Sequence, residues 1–274
     1  MSTSVSRSLS LLAGLSFLVL FAGVSLAETI VINGSTTVLP VAQPAAEAYM
    51  KRNPDVNISI SGGGSGNGVK ALLDKTADIA NSSRFLKDGE IKMACEKGIF
   101  PVAHRIAMDA IVPIVHPSNA VTNLTVAQLS LMYQGKITNW KEVGGIDGKI
   151  VIISRDTSSG TFEVWQEKVL HDAKVAPRAL MQASNGAIVQ AVSKNKYAIG
   201  YIGIGYVNTE VKPLRVNGIE ASAKTALSGV FPVVRPLFMF TSGWPTGNVS
   251  DFINFMVSPE GQNIVKKEGF VPLY

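Results

Sequence analysis

The stretch Glu28-Thr-Ile-Val-Ile-Asn-Gly-Ser-Thr-Thr-Val-Leu-Pro40 carries a strand into a helix through a turn of small residues. Its first part is short and β-branched and ends at Gly34, which predicts a strand over 28–33. A helix follows, with Pro40 and Pro44 near its first turn, where proline is tolerated. The same order of strand, turn and helix recurs along the chain, and it predicts a parallel-rich α/β sheet.

The recurring pattern places the other elements. Strands are predicted over 57–61, 77–81, 107–116 and 149–154, and helices over 69–74 and 161–170. Apolar strands at 110–116 and 235–240 enclose a middle segment with an α/β pattern of its own. This nesting predicts two lobes that are joined by two chain crossings.

Three of the strand-to-helix turns combine glycine with hydroxyl side chains. They are Gly34-Ser35-Thr36-Thr37, Gly64-Ser65-Gly66-Asn67-Gly68 and Ser158-Ser159-Gly160-Thr161. The first N–H groups of a helix lack internal partners and carry the positive end of its dipole, so each turn suits an oxyanion. Helix capping alone explains any single turn. Three turns, with Arg155 ahead of the third, favour binding, because arginine forks onto two oxygens of a tetrahedral anion.

Composition excludes several classes of protein. The 274 residues are 46% hydrophobic and 16% charged, which is typical of a folded chain rather than a disordered one. One cysteine, Cys95, and three scattered histidines exclude a disulfide framework and argue against a metal site. The net charge of +5 comes from dispersed Lys and Arg, so nucleic-acid binding is not predicted. We expect Cys95 to be partly buried and Trp140, Trp165 and Trp244 to serve in packing.

Residues 1–27 have the pattern of a signal peptide. Arg7 precedes an apolar run over 9–24, and Ser25-Leu26-Ala27 supplies small residues for a peptidase, which predicts cleavage after Ala27. The alternative is an uncleaved membrane anchor, for which the run is short, since a span needs about 20 apolar residues. The predicted mature protein is therefore exported and soluble, and begins at Glu28.

In their order along the chain, seven stretches resemble those of the PstS-type phosphate-binding proteins, the periplasmic receptors of ABC phosphate importers. They are Ile32-Asn-Gly-Ser-Thr-Thr-Val38, Gly63-Gly-Ser-Gly-Asn-Gly-Val-Lys70, Asp78-Ile-Ala-Asn-Ser-Ser-Arg84, 129–140, Arg155-Asp-Thr-Ser-Ser-Gly-Thr161, Ala198-Ile-Gly-Tyr-Ile-Gly-Ile-Gly-Tyr206 and 252–272. The resemblance covers nearly the whole mature chain. It implies an α/β, two-lobed periplasmic-binding-protein fold (Venus flytrap, type II) with two crossover strands. We expect one lobe from 28–109 plus 237–274, the other from 110–236, and the anion between them.

The resemblance also implies a set of phosphate-binding residues by position. The set is Ser35, Thr36, Thr37, Ser65, Ser83, Arg84, Arg155, Ser159, Gly160 and Thr161. Many family members carry an Asp where this chain has Ser83, and that Asp accepts the proton of hydrogen phosphate. The pair Ser83-Arg84 is similar to a second branch of the family. A hydroxyl accepts a proton but does not repel a fully ionised anion, so the choice between phosphate and sulfate stays open.

Two charged residues near this site have two interpretations each. Arg84 suits either a ligand contact or a salt bridge at the edge of the cleft. Asp156 either orients Arg155 or is an exposed turn residue. The sequence does not decide between them.

The function that follows is that of an exported, monomeric solute-binding protein with no metal or cofactor. It binds inorganic phosphate and delivers it to the membrane permease subunits of an ABC importer. Another oxyanion, such as sulfate, molybdate or tungstate, is an alternative ligand, and phosphate scavenging or surface adhesion without a transporter is an alternative role. A secreted phosphoesterase is a further alternative, but the sequence has no convincing base, metal cluster or nucleophile elbow for an enzyme.

Overall fold

The computed structural model describes residues 28–274. The predicted signal peptide and its cleavage after Ala27 lie outside the described residues. The strands are β1 (Glu28–Gly34), β2 (Val56–Gly62), β3 (Ile79–Ser82), β4 (Pro101–Val115), β5 (Asn123–Leu124), β6 (Val151–Arg155), β7 (Leu180–Gln182), β8 (Ala198–Gly203), β9 (Lys212–Pro213), β10 (Arg215–Val216) and β11 (Val234–Ser242). The α-helices are α1 (Leu39–Arg52), α2 (Ser65–Leu73), α3 (Asp88–Glu96), α4 (Val126–Tyr133), α5 (Gly160–Lys168), α6 (Asn185–Ser193), α7 (Ala223–Leu227), α8 (Gly247–Val257) and α9 (Pro259–Lys267). Two 3₁₀ turns span Trp140–Val143 and Ile204–Tyr206.

Eight of the strands form a sheet in the order β2-β1-β3-β11-β4-β8-β6-β7, β9 also pairs with β4, and β5 and β10 pair with each other. Strand β4 connects its two halves, because its earlier residues pair with β11 and Ile111–Val115 pair with β8. Strand β11 returns the chain from the β8 side of the sheet to the β3 side. The Ile111 N–H donates to the carbonyl of Val233, the residue before β11. The two-lobed α/β architecture with two crossover strands is confirmed. We call the β1–β3 side the first lobe and the β6–β8 side the second lobe.

Each lobe carries helices on its sheet and a core of its own. In the first lobe, Ile30 and Ile32 pack with α1, α8 and α9 on one face, and Phe238 and Phe240 pack with α2 on the other. In the second lobe, Trp165 stacks on Tyr201 with ring centroids 4.3 Å apart. No helix within 28–274 is long and apolar enough to cross a membrane.

Several local predictions are corrected. Helix α2 begins at Ser65 rather than at Val69, so the second glycine-rich turn is already the first turn of the helix. Gly64, with a φ of +99°, makes that early start possible, since glycine adopts positive φ readily. Pro44 lies in the second turn of α1 rather than near the first.

Two packing predictions are also corrected, while Trp140 and Trp165 are fully buried as expected. Trp244 is 83% exposed, because it lies two residues beyond the end of β11, outside the sheet. Cys95 is exposed, since Ala94 is the residue that α3 buries.

Candidate functional site

The turns that follow the strands of the first lobe meet those of the second lobe. The Gly66 N–H donates to the Ser158 carbonyl at 3.0 Å, and the Ser158 hydroxyl donates to the Gly63 carbonyl at 3.1 Å. A hypothetical Cβ on Gly160 would lie 2.5 Å from Ser65 Oγ. The second and third glycine-rich turns therefore face each other across the cleft, and glycine at 160 permits the approach.

The hydroxyls predicted to bind the anion lie in two groups. Ser65 Oγ accepts from the Ser83 N–H at 3.1 Å and lies 3.3 Å from Ser83 Oγ. Thr37 Oγ1 lies 3.0 Å from Thr161 Oγ1, although 124 residues separate them in sequence. All four residues are buried. The structure thus brings hydroxyls of both lobes together as the resemblance implies.

Capping explains only one of the three turns. Ser159 Oγ accepts from the N–H groups of Thr161 and Phe162, at 3.2 Å each, and so caps α5. Neither α1 nor α2 has a side-chain cap. Ser35 Oγ instead accepts from the Thr37 N–H at 3.1 Å. At the first two turns, the hydroxyls of Thr37 and Ser65 are available for contacts across the cleft.

Arg155 is held by main-chain carbonyls rather than by an acid. Its Nε donates to the Gln182 carbonyl at 3.1 Å and its Nη2 to the Ala183 carbonyl at 3.0 Å. Asp156 lies 3.9 Å away and binds the Ser158 N–H instead. Burial lowers the pKa of Arg155, although the charge of Asp156 opposes this. Carbonyls orient the guanidinium and leave its Nη1 buried without a partner among the described residues.

A second buried arginine, Arg235 on β11, was not predicted. It bonds Asp109 on β4 through Nε at 2.9 Å and Nη2 at 2.7 Å. Its Nη2 also lies 3.0 Å from Thr161 Oγ1 and 3.3 Å from Thr37 Oγ1. Burial raises the pKa of Asp109, while Arg235 and the Ile204 N–H stabilise its charge. The crossover strands thus carry an ion pair that touches a hydroxyl of each lobe.

Asn185, the first residue of α6, was also missed. Its Nδ2 lies 3.1 Å from Thr37 Oγ1 and 3.3 Å from Thr36 Oγ1. The phenol of Tyr206 donates to the Thr36 carbonyl at 2.5 Å, and burial raises the pKa of Tyr206 to about 12, so this phenol stays neutral. Both residues of the second lobe therefore fix the turn after β1.

The sequence contains weak signals for the residues that were not predicted, Asn185, Arg235 and Asp109. Ala183-Ser184-Asn185-Gly186 is a fourth turn of small polar residues ahead of a helix. Arg235 and Asp109 are single charges in otherwise apolar strands. An unpartnered charge in a buried strand requires a partner, and each of these two supplies it for the other.

Arg84 forms salt bridges at the edge of the cleft. Its guanidinium makes two bonds to Glu90, both 2.7 Å, and pairs with Glu163 of α5 in the other lobe. Lys87 also pairs with Glu163, at 3.1 Å. Burial lowers the pKa of Arg84, but its bonds to the two carboxylates outweigh burial and raise it. Of its two interpretations, the structure shows the salt bridge.

Within 28–274, no group of three His, Cys, Asp or Glu side chains is placed to hold a metal ion. The cleft instead collects hydrogen-bond donors. These are the guanidinium groups of Arg155 and Arg235, hydroxyls of both lobes, and the N-terminus of α5. Such a set is suited to a small oxyanion.

Comparison with known proteins agrees with this geometry. The family model described as a PBP superfamily domain matches residues 22–260. The phosphate-binding protein PstS of Borreliella burgdorferi is 33% identical over 252 residues, which cover 88% of each chain. PstS of Bacillus subtilis is 30% identical over 247 residues, covering 89% of this chain and 81% of that one.

Solved structures extend the comparison. A substrate-binding protein from Clostridium perfringens, solved with bound phosphate, superposes with a TM-score of 0.83 at 37% identity and covers 90% of this chain and 100% of its own. An ABC-type phosphate transport receptor from Vibrio cholerae superposes with a TM-score of 0.73 at 31% identity, covering 88% and 99%.

Fold, cleft and family model together define a two-lobed binding protein of the PBP superfamily. Within that class, the chain belongs to the family of PstS phosphate-binding proteins. This family consists of binding proteins, so the interpretation as a binding protein rather than an enzyme follows.

Proposed function

We propose that this chain binds inorganic phosphate between its two lobes and delivers it to the permease subunits of an ABC importer. The observation that carries the proposal is the pair of buried arginines, whose Nη1 atoms have no partner among the described residues. Each is nearly inaccessible, and a buried donor without an acceptor is costly. An oxyanion in the cleft supplies acceptors for such donors.

The charges around the cleft support a doubly negative ligand. Arg155 and Arg235 contribute two positive charges, and Asp109 offsets one of them. The N-terminus of α5 adds part of a further positive charge at the same place. A buried anion is stable only where matched charge and hydrogen bonds surround it, and this cleft offers both.

The proposed ligand contacts come from both lobes. They are Thr36, Ser65, Ser83, Arg155, Ser159, Gly160, Thr161 and Arg235, and Thr37 acts through the bond between its hydroxyl and that of Thr161. Ser35 belongs to the site through its bond to the Thr37 N–H, and Arg84 through the salt bridge that joins the lobes at the cleft edge.

The proposed lobes are 28–109 plus 237–274, and 110–236. Their core contacts support this division, since Ile106 and Leu237 pack in the core of the first lobe, while Val112 and Val233 pack in that of the second. Between these residues lie the two crossings, which are the natural place for a hinge. The protein acts as a monomer in this proposal.

The proposal includes export, with residues 1–27 removed as a signal peptide after Ala27. Mass spectrometry of the protein recovered from its native host should find Glu28 at the N-terminus. Recovery of the intact chain in membranes would contradict this part of the proposal.

Calorimetric titration of phosphate-stripped protein tests the ligand. We expect one phosphate per chain, bound more tightly than sulfate or molybdate. Tighter binding of sulfate or molybdate would make this chain a receptor for that anion, and binding of none would reject the function. Because Ser83 does not repel an unprotonated anion, sulfate is the critical comparison.

A further inference from the structure

Asn185 occupies one orientation only. Its Oδ1 lies 3.3 Å from the main-chain N–H of Gly203, which is a donor and never an acceptor. Oxygen must therefore face Gly203, and the amide nitrogen must face the hydroxyls of Thr36 and Thr37. The residue is fully buried.

The hydroxyl of Thr37 consequently has two donors pointing at it. One is Asn185 Nδ2 at 3.1 Å, and the other is Arg235 Nη2 at 3.3 Å. One Nη2 hydrogen is directed at Asp109, so the hydrogen that faces Thr37 is shared with Thr161. A hydroxyl has two lone pairs and one hydrogen. With both lone pairs taken, Thr37 can only donate to its third neighbour.

The direction in which the Thr161 hydroxyl donates is fixed in the same way. Its Oγ1 accepts from Arg235 Nη2 at 3.0 Å and lies 3.0 Å from Thr37 Oγ1, which has only its hydrogen to offer. The lone pairs of Thr161 are thereby used as well, and its own hydrogen points to a further acceptor. Asp109 holds Arg235 in this position with two bonds to one carboxylate oxygen.

We propose that Asn185 and Arg235 are positioning residues that commit the hydroxyls of Thr37 and Thr161 to donate. This proposal rests on the proposed function, since the acceptor at the end of the chain is an oxygen of the bound phosphate. A corner made only of donors binds an ionised oxygen and rejects a P–OH group, whose hydrogen finds no acceptor there. The dianion carries three ionised oxygens and the monoanion two, so this corner favours the dianion. Asn185 acts without touching the anion, while Arg235 also offers it the hydrogens of Nη1.

A double-mutant cycle tests this role. The variants are Asn185→Ala, Thr37→Val and the two combined, and the measurement is the Kd of inorganic phosphate by titration. Thr37→Val should weaken binding roughly 10- to 100-fold, because it frees a lone pair of Thr161 and so loosens the hydrogen bond that Thr161 donates to the charged anion. Asn185→Ala should weaken phosphate binding about tenfold in the wild-type background. In the Thr37→Val background it should weaken binding less than about twofold, because its effect passes through Thr37. Thr37→Ser, which keeps the hydroxyl, should retain most of the affinity.

The pH dependence distinguishes positioning from packing. Titrations at about pH 6 and about pH 8 lie on the two sides of the second ionisation of phosphate. The wild type should prefer the higher pH, and Asn185→Ala should reduce that preference, because a freed hydroxyl accepts a proton from the monoanion. If Asn185→Ala does not fold, Asn185→Leu keeps the approximate size, adds no charge, removes the donor to Thr37 and takes its place in the cycle.

The results of these experiments distinguish a failure of the positioning role from a failure of the binding function. Additive losses with an unchanged pH preference would overturn the positioning role and leave the binding function standing. Failure of the wild type to bind phosphate would overturn the proposed function and this inference with it. Coupled losses with a reduced pH preference would support both.

Discussion

Arg84 and Glu163 form a salt bridge in which each lobe supplies one charge. Arg84 follows β3 in the first lobe, and Glu163 lies in the first turn of α5 in the second. The side chain of Arg84 is only 6% exposed and that of Glu163 14%, so water screens the pair weakly. Because opening of the cleft would separate the two charges, their attraction favours the closed arrangement of the lobes.

Glu163→Gln should therefore weaken phosphate binding. The amide keeps the size but loses the charge, while Glu90 still pairs with Arg84. We expect a loss of about 1–3 kcal/mol of binding free energy, the range for a hydrogen bond between charged groups. Calorimetric titration measures it, with Glu167→Gln, an exposed residue one turn along α5, as the control. Equal affinity in both variants would show that the bridge does not stabilise the closed form.

The pH dependence of stability should also change at this residue. Burial raises the pKa of Glu163 above its ordinary value of 4.5. Between 4.5 and that raised pKa, the folded protein holds a proton that the unfolded chain has released. Folding stability from this group therefore falls as the pH rises through the window. The Tm of the wild type minus that of Glu163→Gln should decrease from pH 4.5 upward, and an increase would mean that Arg84 dominates over burial.

Arg155→Ala should remove most of the affinity for phosphate. Its guanidinium is buried and held by two carbonyls, so a small side chain there leaves the anion without its matched cation. We expect a loss of about 2–5 kcal/mol, as for a buried hydrogen-bonded charge pair. Arg105→Ala, at an exposed position of β4, is the matched control. A Kd within threefold (about 0.7 kcal/mol) of the wild type would place the anion elsewhere.

Ser83→Asp should weaken the binding of sulfate more than that of phosphate near neutral pH. Ser83 Oγ lies 3.3 Å from Ser65 Oγ, beside the start of α5. A carboxylate there accepts the proton of hydrogen phosphate, whereas sulfate brings no proton and the two negative groups repel each other. Paired titrations with both anions test this, with Ser242→Asp at an exposed position as the control. An unchanged ratio of the two affinities would mean that Ser83 does not face the ligand.

Gly160→Ala should prevent the lobes from meeting. The new methyl would lie 2.5 Å from Ser65 Oγ and 2.7 Å from Ser83 Oγ, closer than side chains pack. Phosphate affinity should fall at least about 100-fold, close to the cost of overpacking a rigid site. The control is Gly186→Ala in the first turn of α6, where the nearest atom is 3.9 Å away. In Gly160→Ala, titration should show weak phosphate binding, and small-angle scattering should show no compaction when phosphate is added. Gly186→Ala should bind phosphate and become more compact, as the wild type does.

The local pattern of the chain determined much of this protein. The alternation of strands and helices, the turns at Ser65 and Thr161, and Arg155 at the end of β6 could all be read from neighbouring residues, because capping, glycine turns and β-branched strands act over a few positions. The start of α2 was misplaced for the same reason, since a glycine-rich segment looks like a loop until packing makes it helical.

Tertiary structure alone decided which polar groups meet. Asp109 and Arg235 are 126 residues apart and become partners because β4 and β11 pair in the register that sets them opposite each other. Asn185 reaches Thr37 across 148 positions once α6 and the turn after β1 face the same cleft. Hydrogen bonds and charge pairs depend on distances of about 3 Å in space, and no local propensity records such a distance between segments that the fold alone brings together.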